Sequence, residues 1–180
     1  MKLRHLIFLL LCISSVSCVK QKLETTYNSQ EDRIDQYIER NSTSGDETRR
    51  VVYNGGSSRL IFKEGEGEEL NANGNIAFYY AGYVFNGSIN KTNLFTTNHK
   101  ESATEAGWNL SEEDLKVLTI NIKEYELVTG LKNGLIGVKS GEECQILFSG
   151  KYGFGKKAFG IVPANSALVY KIWVESVSND

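Results

Sequence analysis

The spacing of hydrophobic positions divides the chain into three stretches. Leu6 to Ile13 is an unbroken apolar run behind Lys2 and Arg4. Residues 19–50 are polar apart from a spell in which Ile34, Tyr37 and Ile38 recur at helical spacing, which predicts one short helix capped by Ser29 and stopped by Asn41-Ser42-Thr43-Ser44-Gly45. Beyond Arg49 the pattern shifts to short strands between Gly and Asn turns. Val51 to Tyr53 and Arg59 to Lys63 read as strands, followed by Ile76, Phe78 and Tyr80 in alternation up to the turn Asn86-Gly87. Leu118, Ile120 and Ile122, then Ile146 with Phe148, then Leu168, Tyr170, Ile172 and Val174 continue the alternation. One short helical pattern interrupts it, with Leu127, Val128, Leu131 and Leu135 on a single stripe. Its glycines Gly130 and Gly134 each cost about 1 kcal/mol relative to Ala, so close packing on a sheet is the expected reason for them. Several strands and one helper helix predict an α+β domain with an antiparallel sheet.

Composition changes this picture mainly at the ends. A chain of 180 residues fits one ordinary domain with appendages, and 41% hydrophobic with 23% charged residues suits a soluble globular protein. The cationic start, the short apolar run and the small residues Ser14, Ser15 and Ser17 predict a secretory signal peptide over 1–17. The run falls short of the roughly 20 residues that span a bilayer. Ser15-Val16-Ser17-Cys18 resembles a relaxed bacterial lipobox, with Ser15 where leucine is usual, which predicts lipidation of Cys18 as the first mature residue. The expected anchorage is a lipid-held bacterial envelope protein on the outer membrane facing the periplasm, because Val19-Lys20-Gln21-Lys22 is not an acidic surface-export tag. Cys12 leaves with the signal and Cys18 takes lipid, so Cys144 stands alone as a small buried hydrophobe and no disulfide forms. Without Lys2 and Arg4 the chain keeps 18 basic against 22 acidic residues, a net charge of about −4 that argues against a nucleic-acid partner. No cysteine, histidine and carboxylate spacing suggests a metal or cofactor. His99, the one histidine left, sits in a polar stretch and is expected to be solvated, and Ser111 to Asp114 is expected to cap a short helix.

Phe78-Tyr79-Tyr80-Ala81-Gly82, Asn86-Gly87, Leu127 to Leu135, Gly141-Glu142, Lys151-Tyr152-Gly153-Phe154-Gly155 and Ile161-Val162-Pro163 through Leu168-Val169-Tyr170 occur in an order that resembles FKBP-type peptidyl-prolyl cis-trans isomerases. The resemblance covers roughly 58–178, with insertions between Gly87 and Phe95 and from His99 to about Lys116. It implies a twisted antiparallel sheet wrapped around one short helix over 51–180; the polar residues before it, 18–50, read as a tether with one short helix that lifts a monomeric domain off the membrane.

The resemblance further implies an apolar prolyl pocket. Tyr80, Phe95, Thr96, Val128 and Phe154 fall on its catalytic positions, the last-but-one through its backbone amide, and Leu118, Leu127, Leu131, Val162 and Tyr170 on substrate-binding ones. The partners it implies are proline-containing polypeptides, and the activity is isomerisation of X–Pro bonds in exported proteins, without nucleophile, metal or cofactor. Three departures stand against full activity: Leu131 where the floor is often Trp, Thr96 in place of a rim aspartate, and Phe154 in place of a tyrosine. They point to the alternative of a weak or inactive peptide-binding scaffold.

Overall fold

The computed structural model describes residues 2–44 and 47–179, with side chains from Lys20 onward apart from those of 44–47. Helix α1 runs without a break over Lys2–Ser42. No Gly or Pro occurs before Gly45, so nothing in the chain interrupts backbone hydrogen bonding, and Ser29 lies inside the helix rather than at its cap. The hydroxyls of Thr25 and Thr26 donate back to the carbonyls of Gln21 and Lys22, both at 3.0 Å. Cys18 and the expected signal over 1–17 lie outside the residues whose side chains are described. Among the described residues no helix is long and apolar enough to cross a membrane.

The C-terminal part of α1 does not behave as a free tether. Ile34 and Ile38 are buried against Ala81, Tyr83, Phe85, Leu147 and Val169, and the Tyr37 hydroxyl donates to Gln145 Oε1 at 2.9 Å. These contacts cover one face of the sheet, and burying each isoleucine contributes about 1.5–3 kcal/mol. A two-residue ribbon, β1 (Thr43–Ser44) with β2 (Glu47–Thr48), links the helix to the domain.

Seven strands form one antiparallel sheet: β3 (Val51–Asn54), β4 (Ser57–Lys63), β5 (Asn75–Val84), β6 (Leu94–Thr97), β7 (Leu118–Asn121), β8 (Glu143–Phe148) and β9 (Leu168–Ser178). Their order is β3-β4-β8-β9-β5-β6, with β7 also on β5. Helix α2 (Lys100–Glu105) lies in the insertion after β6, and helix α3 (Thr129–Leu135) packs on the inner face. Ser111 to Asp114 makes a capped turn rather than a helix, with the Ser111 hydroxyl donating to Asp114 Oδ2 at 2.6 Å.

The inner core unites Ile76, Phe78, Ile120, Leu131, Leu135, Ile146, Phe148, Tyr170 and Ile172. The glycines of α3 have the expected cause: a Cβ at Gly130 would run into the Phe148 ring, and one at Gly134 into Ile146. The far end of α3 is pinned by Arg59, which is 2% exposed and whose guanidinium donates to the carbonyls of Gly134, Ile136 and Gly137 at 2.9 to 3.0 Å. Its Nε stands 3.3 Å from the fully buried Glu142 carboxylate, which burial pushes above the ordinary carboxylate range against the pull of Arg59. Cys144 is free and buried beside this pair, and burial pushes its thiol well above the ordinary range, so it packs as a small hydrophobe.

Candidate functional site

A cavity of about 290 Å³ opens between α3, the inner face of β5, β6 and β9, and the long connection 149–166, here called the flap. Alternation in β5 sends Phe78 and Tyr80 to the same side, and Tyr170 on β9 faces them because Gly82 pairs with Tyr170 in register. Gly82 is required there: a Cβ would meet Tyr170, Thr96 and Phe95 at 2.8 to 3.0 Å. Phe95 and Thr96 come from β6, Leu118 from β7, Leu127 from the approach to α3 and Leu131 from its first turn. Phe154 comes from the flap.

The rings meet at angles that favour edge-to-face contact. Phe95 is T-shaped to both Phe154, at 6.0 Å, and Tyr170, at 5.8 Å, while Phe148 stacks on Tyr170 from below at 6.1 Å. Such pairs add about 0.5–1.5 kcal/mol beyond area burial, so Phe95 is held by its neighbours rather than free to collapse into the cavity. Burial, with the Tyr80 phenol beside it, pushes the Tyr170 hydroxyl far above its ordinary value of 10.0, which keeps it a neutral hydrogen-bonding group at any working pH.

Eight of the ten residues expected at the pocket line this cavity: Tyr80, Phe95, Thr96, Leu118, Leu127, Leu131, Phe154 and Tyr170. Val162 and Val128 do not. Val162 is 1% exposed and pairs with Phe159 in a small hairpin, its side chain in the core beneath the flap. Val128 is the N-cap of α3, where its carbonyl accepts from Lys132 N–H at 3.1 Å, and it borders a neighbouring polar groove with Lys123, Glu124 and Lys132. Its side chain is partly buried against the inner core, and it directly follows Leu127, which lines the cavity.

Four lining residues were not anticipated: Phe78, Tyr125, Glu126 and Phe159. Phe78 shares its alternation with Tyr80 and was legible as inward-facing, though only as core. Phe159 stacks on Phe154 at 4.9 Å yet remains 57% exposed, and together with Tyr125 it gives the mouth an apolar lip. Nothing in sequence pattern distinguishes these from other loop aromatics.

Asn98 was likewise missed. Strand β5 pairs with β9 along its whole length, but on its other edge it pairs with β7 over Asn75 to Phe78 and with β6 from Ala81, which leaves Tyr80 without a strand partner on that edge. Buried Asn98 fills the gap, its Oδ1 accepting from Tyr80 N–H at 2.7 Å and its own N–H donating to the Tyr80 carbonyl at 3.2 Å. The adjacent His99 is not solvated as expected: its ring stacks on Trp173 at 3.7 Å on the outer face.

With this geometry in view the relatives can be placed. The sequence pattern of the family described as FKBP-type peptidyl-prolyl cis-trans isomerase matches residues 66–175, and the chain belongs to that family of isomerases. It is 25% identical over 118 residues to FK506-binding protein 1 of Aspergillus oryzae, covering 65% of this chain and 94% of that protein. It is 26% identical over 121 residues to the FKBP-type peptidyl-prolyl cis-trans isomerase FkpA of Buchnera aphidicola, covering 67% of this chain but only 40% of the relative. In fold it is similar to a peptidyl-prolyl cis-trans isomerase from Pseudomonas syringae, with a TM-score of 0.60 over 87% of this chain and 96% of that one at 14% identity. It is also similar to FkpA from Escherichia coli, with a TM-score of 0.55 over 95% of this chain and 70% of that one at 16% identity.

Proposed function

We propose that the cavity between α3, the sheet and the flap is the site at which this isomerase turns X–Pro bonds in exported polypeptides. The observation that carries the reading is the convergence of Tyr80, Phe95, Leu118, Leu127, Leu131, Phe154 and Tyr170 from separate elements onto one apolar cavity. The cis and trans forms of an X–Pro bond differ by only about 0.5–1 kcal/mol, and a rotational barrier of about 18–20 kcal/mol obstructs exchange. No covalent step is needed. An apolar enclosure strips water from the amide and favours the twisted, less polar state over the planar one, and a thousandfold acceleration asks for only about 4 kcal/mol. Phe95 and Tyr170 would hold the prolyl ring, Leu131 would form the floor, and the Val128 N–H at the start of α3 would receive the carbonyl after proline. Among the described residues nothing accepts from that N–H.

A slower enzyme that mainly binds is favoured by Thr96, which offers no carboxylate at the rim, and by Phe154, which offers no hydroxyl. Exchange rates of a proline tetrapeptide decide between them. The wild-type chain is expected to accelerate isomerisation, and Phe95→Ala to lower kcat/KM at least tenfold, about 1.4 kcal/mol. Binding of the peptide without acceleration would establish the scaffold, and neither binding nor acceleration would reduce these aromatics to core.

The same proposal places the domain at the bacterial envelope, held by lipid on Cys18. Metabolic labelling with a fatty acid is expected to mark the wild type and leave Cys18→Ala unmarked; equal labelling removes the anchor.

A further inference from the structure

The flap that carries Phe154 and Phe159 into the cavity begins at Ser149 and returns at Ser166. Its two stems touch: a Cβ on Gly150 would overlap the backbone of Asn165. They are also joined by a residue from far outside the pocket. Gln30 of α1 is 6% exposed, and its side-chain amide accepts from Gly150 N–H at 2.8 Å through Oε1 and donates to the Asn165 carbonyl at 2.7 Å through Nε2. The partners fix this orientation, since an N–H must face the oxygen and a carbonyl must face the nitrogen.

Two neighbours on the same helical face reinforce the joint. The Tyr27 hydroxyl donates to Asn165 Oδ1 at 2.8 Å, and Glu31 Oε1 accepts from the Ser149 hydroxyl at 3.0 Å. The spacing of 27, 30 and 31 puts the three side chains on the stripe that also carries Ile34 and Ile38. Asn165 is the one described non-glycine residue at positive φ, 58°, a conformation that Asn tolerates better than most and that persists where the surroundings hold it.

We infer that α1 is part of the isomerase machinery, with Gln30 a positioning residue that clasps both stems of the flap and so sets where Phe154 and Phe159 stand. The inference rests on the reading of the cavity as the prolyl site. Gln30 is not one of the residues that line the cavity; it acts through Gly150 and Asn165. Losing it would strand a buried N–H and a part-buried carbonyl and let the flap swing on its stems. The clasp is also a physical link between the N-terminal helix and the pocket.

Three variants of the full chain test this by magnetisation-exchange NMR on a proline peptide, with amide hydrogen exchange measured in parallel. Gln30→Ala is expected to lower kcat/KM about fivefold or more while accelerating exchange at 150–165 and leaving the amides of β5 and β9 protected. Gln30→Glu carries the sharper signature: its ionised carboxylate can accept from Gly150 but repels the Asn165 carbonyl, whereas its protonated form restores both bonds. Catalysis by Gln30→Glu should therefore recover as pH falls through carboxyl titration, a profile absent from the wild type and from Gln30→Ala. Tyr27→Phe removes a single hydroxyl bond at the rim of the helix and should reproduce a smaller part of the effect should Gln30→Ala fail to fold. Unchanged kcat/KM and flap exchange in Gln30→Ala, or in Tyr27→Phe if only that variant folds, overturns the inference, as does a pH profile for Gln30→Glu that matches wild type. A wild-type chain that neither binds nor isomerises the peptide overturns instead the reading of the cavity, and the exchange data still report whether Gln30 holds the flap.

Discussion

The inner face of the sheet is covered by seven residues of helix, Thr129 to Leu135, while the outer face is covered by the end of a helix of 41. The inner cover is short because it is tight. Gly130 and Gly134 bring its backbone onto Phe148 and Ile146, Leu131 and Leu135 fill the space between, and buried Arg59 ties down three carbonyls at its far end. The outer cover is long and attaches at scattered points: Ile34 and Ile38 by burial, and Tyr27, Gln30, Glu31, Tyr37 and Arg40 by hydrogen bonds. Close packing makes a rigid floor for a pocket, whereas side-chain bonds reaching into a loop make a clasp.

The inner cover should break hardest. Arg59→Met removes three bonds at the end of α3 and the turn that follows it and leaves the Glu142 carboxylate buried without its partner, a loss expected at about 3–5 kcal/mol in urea denaturation. Because burial already raises the Glu142 pKa, the variant should be least disadvantaged in acid, where the carboxyl protonates, and the gap to wild type should widen as pH rises. A gap independent of pH would mean that the lost carbonyl bonds, not the stranded charge, account for the damage.

The outer cover is expected to yield next. Ile38→Ala should cost about 2–4 kcal/mol, read from the denaturation midpoint, because the residue is 3% exposed and the helix and sheet cannot both close on the space it leaves. Removing residues 19–42 should cost more than either isoleucine. A truncated domain that melted with the full chain would restore the polar tether that the sequence suggests.

What was legible follows the same division. Alternation over Ile76, Phe78 and Tyr80 and over Leu168 to Val174 has one physical meaning, a half-buried strand, so the sheet could be read from pattern. The paired glycines of α3 announced close packing for the same reason. Helix α1 announces little: between Lys20 and Ser42 its buried apolar contacts rest on Ile34 and Ile38, and its attachment rests on Gln30, whose type is ordinarily solvated. Asn98 and Phe159 were hidden similarly, since a polar residue filling a gap in a strand ladder and an aromatic at a pocket lip differ from loop residues only by where the chain folds. The family resemblance named eight of the residues that line the cavity, and Val162 shows its limit, because a matching position can lie in the core under the flap.

The smallest effect concerns the aromatic stack on the outer face. His99 lies flat on Trp173 at 3.7 Å and an interplanar angle of 9°, and its Nδ1 caps α2 by accepting from Ser102 N–H at 3.4 Å. Its Nε2 stands 3.0 Å from Glu101, whose side chain is 70% exposed. Burial lowers the His99 pKa below its ordinary 6.5, and Lys171 adds to this, while the carboxylates of Glu101, Glu105 and Glu143 oppose it. A lowered folded value means that the unfolded chain takes up the proton first as pH falls. The neutral ring therefore stabilises the fold above its ordinary value and loses that contribution as pH drops through 6.5 toward the lowered value. Protonation would also place a proton on Nδ1 and displace the cap. Tm followed from about pH 8 to about pH 5 should fall more steeply for wild type than for His99→Gln, in which nothing titrates at this position. The steeper fall in the variant would mean that the ion pair with Glu101 outweighs burial. Because the stack lies across the sheet from the cavity, kcat/KM at neutral pH should be nearly the same in both, which separates this attachment from the one made by Gln30.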